Sequence, residues 1–450
     1  MVADFAHASI VEGVRFTAQI GVPNVIQGLF KKRELPTRVA SLARAEAQGF
    51  ALVHGLVKRH GPGPFYVRVA TDEALLLHAP ADIEFVLGGS PDPFASDPEA
   101  KKKGMTAFQP HALTISRGNL WQNRRAFAES VLATGQPLHP LAGTFLQVCA
   151  EAADELGEHG QHEGITWGDL NDAFQRITRR VVFGEAAAAD TELTRQLGEL
   201  MAAGNSTPGK PAEGYDAFVA HLQRYVDDPD VDSLVGLFAK APHDPSTRTT
   251  EQVIHWLFAM GDTLAANLMR CLALLSTHPE QLHEVRTEIA GADLADAQQI
   301  AAMDYLGGCL LEAMRLWPTT PLFGRVTTRD VTFPGGQVVK EGTQVLIYNV
   351  FNHRNRDRVP FADRFAPGEW ASGDAGESWQ FNFFSHGPQG CPGAGLSIFL
   401  GQAFLAHTLA YWTPTLRGGS GLAPGSALPH GLDLYGLTVD LERRGWAAQE

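Results

Sequence analysis

Cysteine is scarce, with four residues in 450: Cys149, Cys271, Cys309 and Cys391. That number and scatter exclude a disulfide scaffold, and without a Cys-x-x-Cys pair there is no zinc knuckle. Positive charge is also short. Against 50 Asp and Glu stand 36 Lys and Arg, a net charge of −14, which repels polyanions and leaves no global footprint for DNA, RNA or anionic lipid. No stretch reads as the roughly 18 apolar residues of a membrane span. The start, Met1-Val-Ala-Asp-Phe-Ala-His7, lacks the basic-then-apolar order of a signal peptide. The expectation is a soluble, cytoplasmic protein with neither nucleic acid nor membrane among its partners. Biased tracts and internal repeats are absent too, and 44% hydrophobic with 19% charged residues describes an ordinary globular chain.

Residues 64–88 alternate apolar and polar side chains and read as a short sheet. Helical periodicity then dominates, over about 117–132, 138–157, 167–183, 189–203 and 214–226, with breaks at Gly/Pro/Asn clusters. The strongest element runs from Thr249 to Thr277, with Leu257, Gly261, Leu264, Leu268, Leu272 and Leu275 at three- and four-residue steps. Such a helix would cross about 40 Å, so its little-charged middle must run through the interior. A helix at 304–317 ends before Pro318, short strands follow at 326–333 and 338–348, and an irregular run fills 352–390. A final helix is expected at 394–411, and the tail reads as loops and strands. The economical architecture is mainly α with a minor β portion, one domain over 1–450, in which residues 1–40 carry no recognisable signal.

Three cysteines sit in helical apolar settings and read as buried small hydrophobes. Cys391 differs. It lies in Phe384-Ser-His-Gly-Pro-Gln-Gly-Cys-Pro-Gly393, too rich in glycine for a helix and directly before one. A thiolate there faces the N–H groups and partial positive charge of a helix N-terminus. Gly387, Gly390 and Gly393 would let the backbone approach a flat cofactor, and Phe384 could pack against it. A glycine-rich turn with an incidental cysteine is the alternative.

Phe-x-x-Gly-x-x-x-Cys-x-Gly followed by a helix resembles the haem-binding signature of the cytochrome P-450 family, and it occurs once. The resemblance implies that fold, with a long helix over haem b and a second helix beyond the cysteine loop, and it makes Cys391 the iron's fifth ligand. It further implies roles for residues that fall in order along 60–445. Glu312-Ala-Met-Arg315 matches the family's Glu-x-x-Arg. Glu192-Leu-Thr-Arg195 has the same spacing, but only the first copy precedes the cysteine loop by the expected several tens of residues. Arg364, in Phe361-Ala-Asp-Arg-Phe365, would complete a buried charge network with Glu312 and Arg315. Ala259-Met-Gly-Asp-Thr263 places an acid and an alcohol beside the oxygen site: Thr263 would bond a backbone carbonyl and hold water or dioxygen, and Asp262 would relay protons. A mid-helix glycine costs about 1 kcal/mol relative to alanine, so Gly261 suggests a need for space.

Trp121 and Arg125, in Trp121-Gln-Asn-Arg-Arg125, would meet one haem propionate and Arg325 the other. One position departs: two residues before the cysteine the family usually has Arg or His, and this chain has Gln389, which can donate a hydrogen bond without neutralising charge. His386 is a weak substitute. The substrate pocket implied is apolar, shaped by Ala259, Leu322 and Phe323 with Thr319 and Thr320 nearby. Lys101-Lys-Lys103 could attract an anion, although such runs are usually solvated.

The activity implied is a haem-thiolate monooxygenase that inserts one atom of O2 into a small, largely apolar substrate. Electrons would come from a ferredoxin and its reductase, docked partly on Arg124. A peroxygenase, isomerase or dehydratase on the same haem is the alternative, and Asp262-Thr263 argues against the first. A non-catalytic haem sensor would need no such proton relay.

Overall fold

The computed structural model describes residues 4–28, 32–206, 208–418 and 420–445. The apolar stretch after Arg248 forms two collinear helices, Thr249–Phe258 and Ala265–Thr277, joined by a π-helical turn at Ala259–Leu264. Leu264, Leu268, Leu272 and Leu275 are buried, as their spacing requires. Each such leucine contributes about 1.5–3 kcal/mol on leaving water.

Around this axis pack three helices: Trp167–Phe183, Asp304–Leu316 and Ala394–Tyr411. The first begins with a capping box, in which Thr166 accepts from the Asp169 N–H while the Asp169 side chain accepts from the Thr166 N–H. It contacts the third through Phe174 and Phe404, whose rings meet edge to face at 5.0 Å. Gly401 is forced by packing: a Cβ there would lie 2.4 Å from Leu310 Cδ2.

Two of these elements correct the sequence reading. Thr249–Thr277 and Ala394–Tyr411 are long and apolar enough to cross a membrane. Scattered Thr, Ser, Gln and Asn interrupt their apolar runs without lowering the mean hydropathy enough to fail that test. Both lie mostly inside the fold, with 72% and 61% of their most apolar windows buried.

The β portion is a six-stranded sheet in the order Ala6–His7, Phe65–Val69, Asp72–Leu77, Gln344–Tyr348, Leu322–Thr327 and Phe94–Ala95, with small sheets of three and two strands. The alternation at 64–79 forms the central hairpin, but Pro80–Gly88 is a helix, opened by Pro80 at its first position. The sequence also left Ile10–Phe16, Val22–Gln27, Glu34–Leu42 and Ala45–His60 unread, all of them helices. The first carries a Ser9/Glu12 capping box that could have revealed it. In the first three of these helices Val11, Val14, Val25, Leu35, Val39 and Leu42 point outwards, whereas Ala45–His60 buries Phe50, Leu52, Val53 and Leu56.

Candidate active site

The cysteine loop is fixed from three sides. Within it, the Cys391 N–H donates to the Phe384 carbonyl at 2.8 Å, and Ser385 takes a positive φ of 58°. From the helix Gly118–Val131 and the turn after it, Arg125 Nη1 donates to the Gly390 carbonyl at 2.5 Å and Thr134 Oγ1 to the Pro392 carbonyl at 2.6 Å. On the third side, Gly387 has φ +68°, and a Cβ there would lie 2.4 Å from the Leu87 carbonyl oxygen. The glycine expected to admit a cofactor is thus required by the end of the helix Pro80–Gly88. Gly393 makes only ordinary contact, 3.5 Å from its Cβ position to Leu132.

Cys391 is solvent-exposed, although the loop around it is held by protein on three sides. Burial pushes its pKa up, while the Gly393 N–H and the nearby Arg125 guanidinium pull it down. The other three cysteines are buried, as the sequence implies, and burial pushes each upward.

Asp262 and Thr263 lie in the π-turn, both half-buried. Asp262 Oδ1 accepts from Asn171 Nδ2 and Gln175 Nε2, each at 3.0 Å, and Asn171 also donates to the Gly261 carbonyl at 2.8 Å. The space that Gly261 supplies is taken by Gln175, whose Oε1 would lie 2.5 Å from a Cβ. These two amides had no sequence signal. Thr263 departs from expectation: its carbonyl accepts from Asn267 Nδ2 at 3.0 Å, and the π-turn, not a hydroxyl bond, deforms the helix.

Glu312 and Arg315 are fully buried and paired at 2.6 Å. Arg315 also donates to the carbonyls of His353, Ala362, Phe361 and Arg364, at 3.1, 3.0, 3.3 and 2.9 Å. Trp370 Nε1 donates to Glu312 Oε1 at 2.9 Å. Arg364 therefore joins through its carbonyl; its guanidinium is exposed and, among the described residues, reaches the Pro360 carbonyl at 3.4 Å. The second buried cation of this segment is Arg354, bound to Asp363 at 2.7 Å. Like charges so close would repel, so a third guanidinium has no place beside Arg315.

At the other edge of the cysteine loop, Arg325 is buried and donates to Ser385 Oγ and Gly324 O at 3.1 Å and to Ser90 Oγ at 3.2 Å. Three of its five N–H groups are so used, and burial pushes its pKa down to about 10. Trp121 is half-buried, and Arg125 is tied to Glu129 at 2.6 Å as well as to the loop. His386 turns to the Phe381 carbonyl at 2.8 Å, which removes it as a substitute for Gln389. Arg124 is buried and bonds Ser116 Oγ at 2.6 Å, so it cannot be a docking charge. Ala259, Leu322 and Phe323 are all half-buried; the two strand residues face opposite clusters.

These residues fit a haem. One accessible thiol and unspent cationic donors at the loop's edge suit an iron in a flat ring bearing carboxylates. Among the described residues no group of three or more His, Cys, Asp or Glu could hold a metal by itself.

Residues 239–421 match the family model for cytochrome P450. Cytochrome P450 4A6 of Oryctolagus cuniculus is 34% identical over 165 residues, which are 35% of this chain and 32% of that protein. Cytochrome P450 4c3 of Drosophila melanogaster is 31% identical over 167 residues, 35% of this chain and 31% of its own. Taurochenodeoxycholic 6 alpha-hydroxylase of Sus scrofa is 30% identical over 182 residues, 38% and 36%. The chain thus spans about a third of the length of these curated relatives. The matched region holds the long helix, the Glu312–Arg315 pair and the cysteine loop, and over it the chain is similar to the cytochrome P450 family, whose cofactor is haem.

Proposed function

We propose that this chain is a haem-thiolate monooxygenase that inserts one atom of O2 into an apolar organic substrate, with electrons delivered by a ferredoxin and its reductase. The observation that carries the proposal is Cys391, solvent-exposed in a loop that Arg125 and Thr134 hold in place directly before the helix Ala394–Tyr411. When bound, haem supplies a redox-active iron whose thiolate ligand favours O–O cleavage.

The chain's own residues do the rest. Arg125 and Thr134 hold the loop that presents the ligand, and Arg325 offers unspent donors to a ring carboxylate. Asn171 and Gln175 hold Asp262 at one oxygen, from which a proton can pass to the Thr263 hydroxyl and the pocket. Ala259, half-buried beside Asp262, would exclude water from the substrate, and of the two strand residues, which face opposite ways, only one can join it. The name of the porcine relative, a hydroxylase of taurochenodeoxycholic acid, supports an apolar-bodied substrate class. A cytoplasmic location belongs to the same proposal, and cell fractionation tests it.

The first test is the difference spectrum of the reduced protein with carbon monoxide. A strongly red-shifted Soret band is expected, and it should be lost in Cys391→Ser. Haem bound without that shift in the unaltered chain overturns the thiolate assignment. Turnover with peroxide alone that matches turnover with ferredoxin and reductase overturns the monooxygenase.

A further inference from the structure

We propose that Lys101 is the cation this chain sets against a haem propionate, in place of the Arg or His that P450s usually carry where this one has Gln389. The inference rests on the haem assignment above and concerns a residue outside the sequence match.

Gln389 and Lys101 meet at one residue. Gln389 Nε2 donates to Ser96 Oγ at 3.1 Å, and Lys101 Nζ donates to the Ser96 carbonyl at 2.9 Å and to the Thr114 carbonyl at 2.9 Å. The ammonium has three protons, and these bonds take two. Arg325 is close enough for its charge to act on Lys101. Lys101 thus joins the Gln389 side of the loop's edge to the Arg325 side.

Lys101 is half-buried with its ammonium among backbone carbonyls, and among the described residues no carboxylate pairs with it. The nearest candidate, Asp97, is committed to Arg117, which reaches both of its oxygens at 2.8 and 2.9 Å. Its sequence neighbours behave differently: Lys102 and Lys103 are exposed, and Lys103 pairs with Glu99 at 3.0 Å. Buried charges are kept only where they are paired. Burial and Arg325 together push Lys101 down to about 7, which is the mark of an ammonium short of an anion.

Gln389 shows the complementary lack. Its Oε1 is buried with no partner. Turned over, the amide would accept from Ser96 and aim a donor where the orphan oxygen stands. A neutral donor from Gln389 and a full charge from Lys101 then do together what one Arg or His does elsewhere in the family.

The test uses substrate-free holoprotein, following haem transfer to excess apomyoglobin together with the midpoint potential. Lys101→Gln is expected to lose haem about tenfold faster and to have a lower potential, because a charge-assisted bond is lost and reduction loses a nearby cation. Lys101→Arg should stay near the unaltered protein in both, and adding Gln389→Arg to Lys101→Gln should restore both. Unchanged haem loss and potential in Lys101→Gln, or failure of that rescue, overturns the proposal. Should Lys101→Gln not fold, resonance Raman of Lys101→Arg decides: a shifted propionate bending mode supports the contact, and an unshifted one overturns it. A Lys101→Gln protein that changes only its spin-state titration by a fatty acid, and not by the matching alcohol, would assign the lysine to a substrate carboxylate and overturn the proposal. A chain that takes up no haem at all defeats the monooxygenase assignment. A holoprotein with a normal carbon monoxide spectrum and silent Lys101 variants defeats this inference alone.

Discussion

Two buried groups of charges flank the cysteine loop, and they are built on opposite principles. Around Glu312 and Arg315 every nitrogen of the guanidinium is engaged by the carboxylate or by one of four carbonyls, and an indole N–H adds to the carboxylate. Around Arg325 and Lys101 the partners are neutral oxygens, and donors are left over. A saturated network holds the chain to itself. An unsaturated one of a single sign marks where the protein expects something it does not contain.

Breaking the saturated side should have the largest effect. Arg315→Met leaves a buried carboxylate and four carbonyls without their donor, a loss of about 3–5 kcal/mol; the expected outcome is little folded holoprotein, read from soluble yield and thermal unfolding. The open side should separate folding from haem binding. Arg325→Met is expected to fold with a thermal midpoint close to that of the parent apoprotein, yet to lose haem about 10- to 100-fold faster, measured by transfer to apomyoglobin.

Asp262 tests whether protein-held oxygens also matter to chemistry. Gln175→Leu removes one of its two amide donors, so product formed per electron consumed should fall several-fold while haem content stays constant; unchanged coupling would remove that role.

A pH series sharpens the contrast further. The groups facing Lys101 are Arg325, His255 and the paired Asp97. Burial pushes His255 down to about 4, and Arg325 stands at about 10, so of these three basic groups Lys101 is the one that titrates across pH 6 to 9. A propionate raises its pKa above 7. The gain in haem affinity is therefore complete below pH 7 and is lost as pH climbs through the raised value, and affinity should weaken several-fold between pH 6 and 9. The smallest effect belongs to Arg364→Ala. Its carbonyl serves Arg315 and its side chain does not, so stability should change by no more than about 0.5 kcal/mol.

That last position shows what the sequence can and cannot say. Spacing locates Glu312, Arg315 and Cys391, because each acts through its side chain at a fixed place on a helix or loop. It misassigns Arg364, because a main-chain carbonyl is indifferent to the residue that bears it. Helix limits at 167–183 and 394–411 were legible from helical periodicity between glycine- and proline-rich breaks, whereas the first three early helices were not, since many of their apolar residues face outwards. Lys101 was hidden in a run of three lysines. The helix Glu99–Thr106 turns it inwards with Met105 and, beyond its end, Phe108, at steps of four and three. That helical register was the available signal, and the charge of its neighbours masked it.

The contact between Gly387 and the Leu87 carbonyl has a consequence in time as well as in space. The cysteine loop leans on a helix from the opposite end of the chain, so it cannot reach its final shape until nearly all of the polypeptide has been made and the sheet between them has closed. A nascent chain carries the helix long before it carries the motif that leans on it. Cofactor capture is then a late event of biosynthesis, and it reports that the two distant ends have found each other.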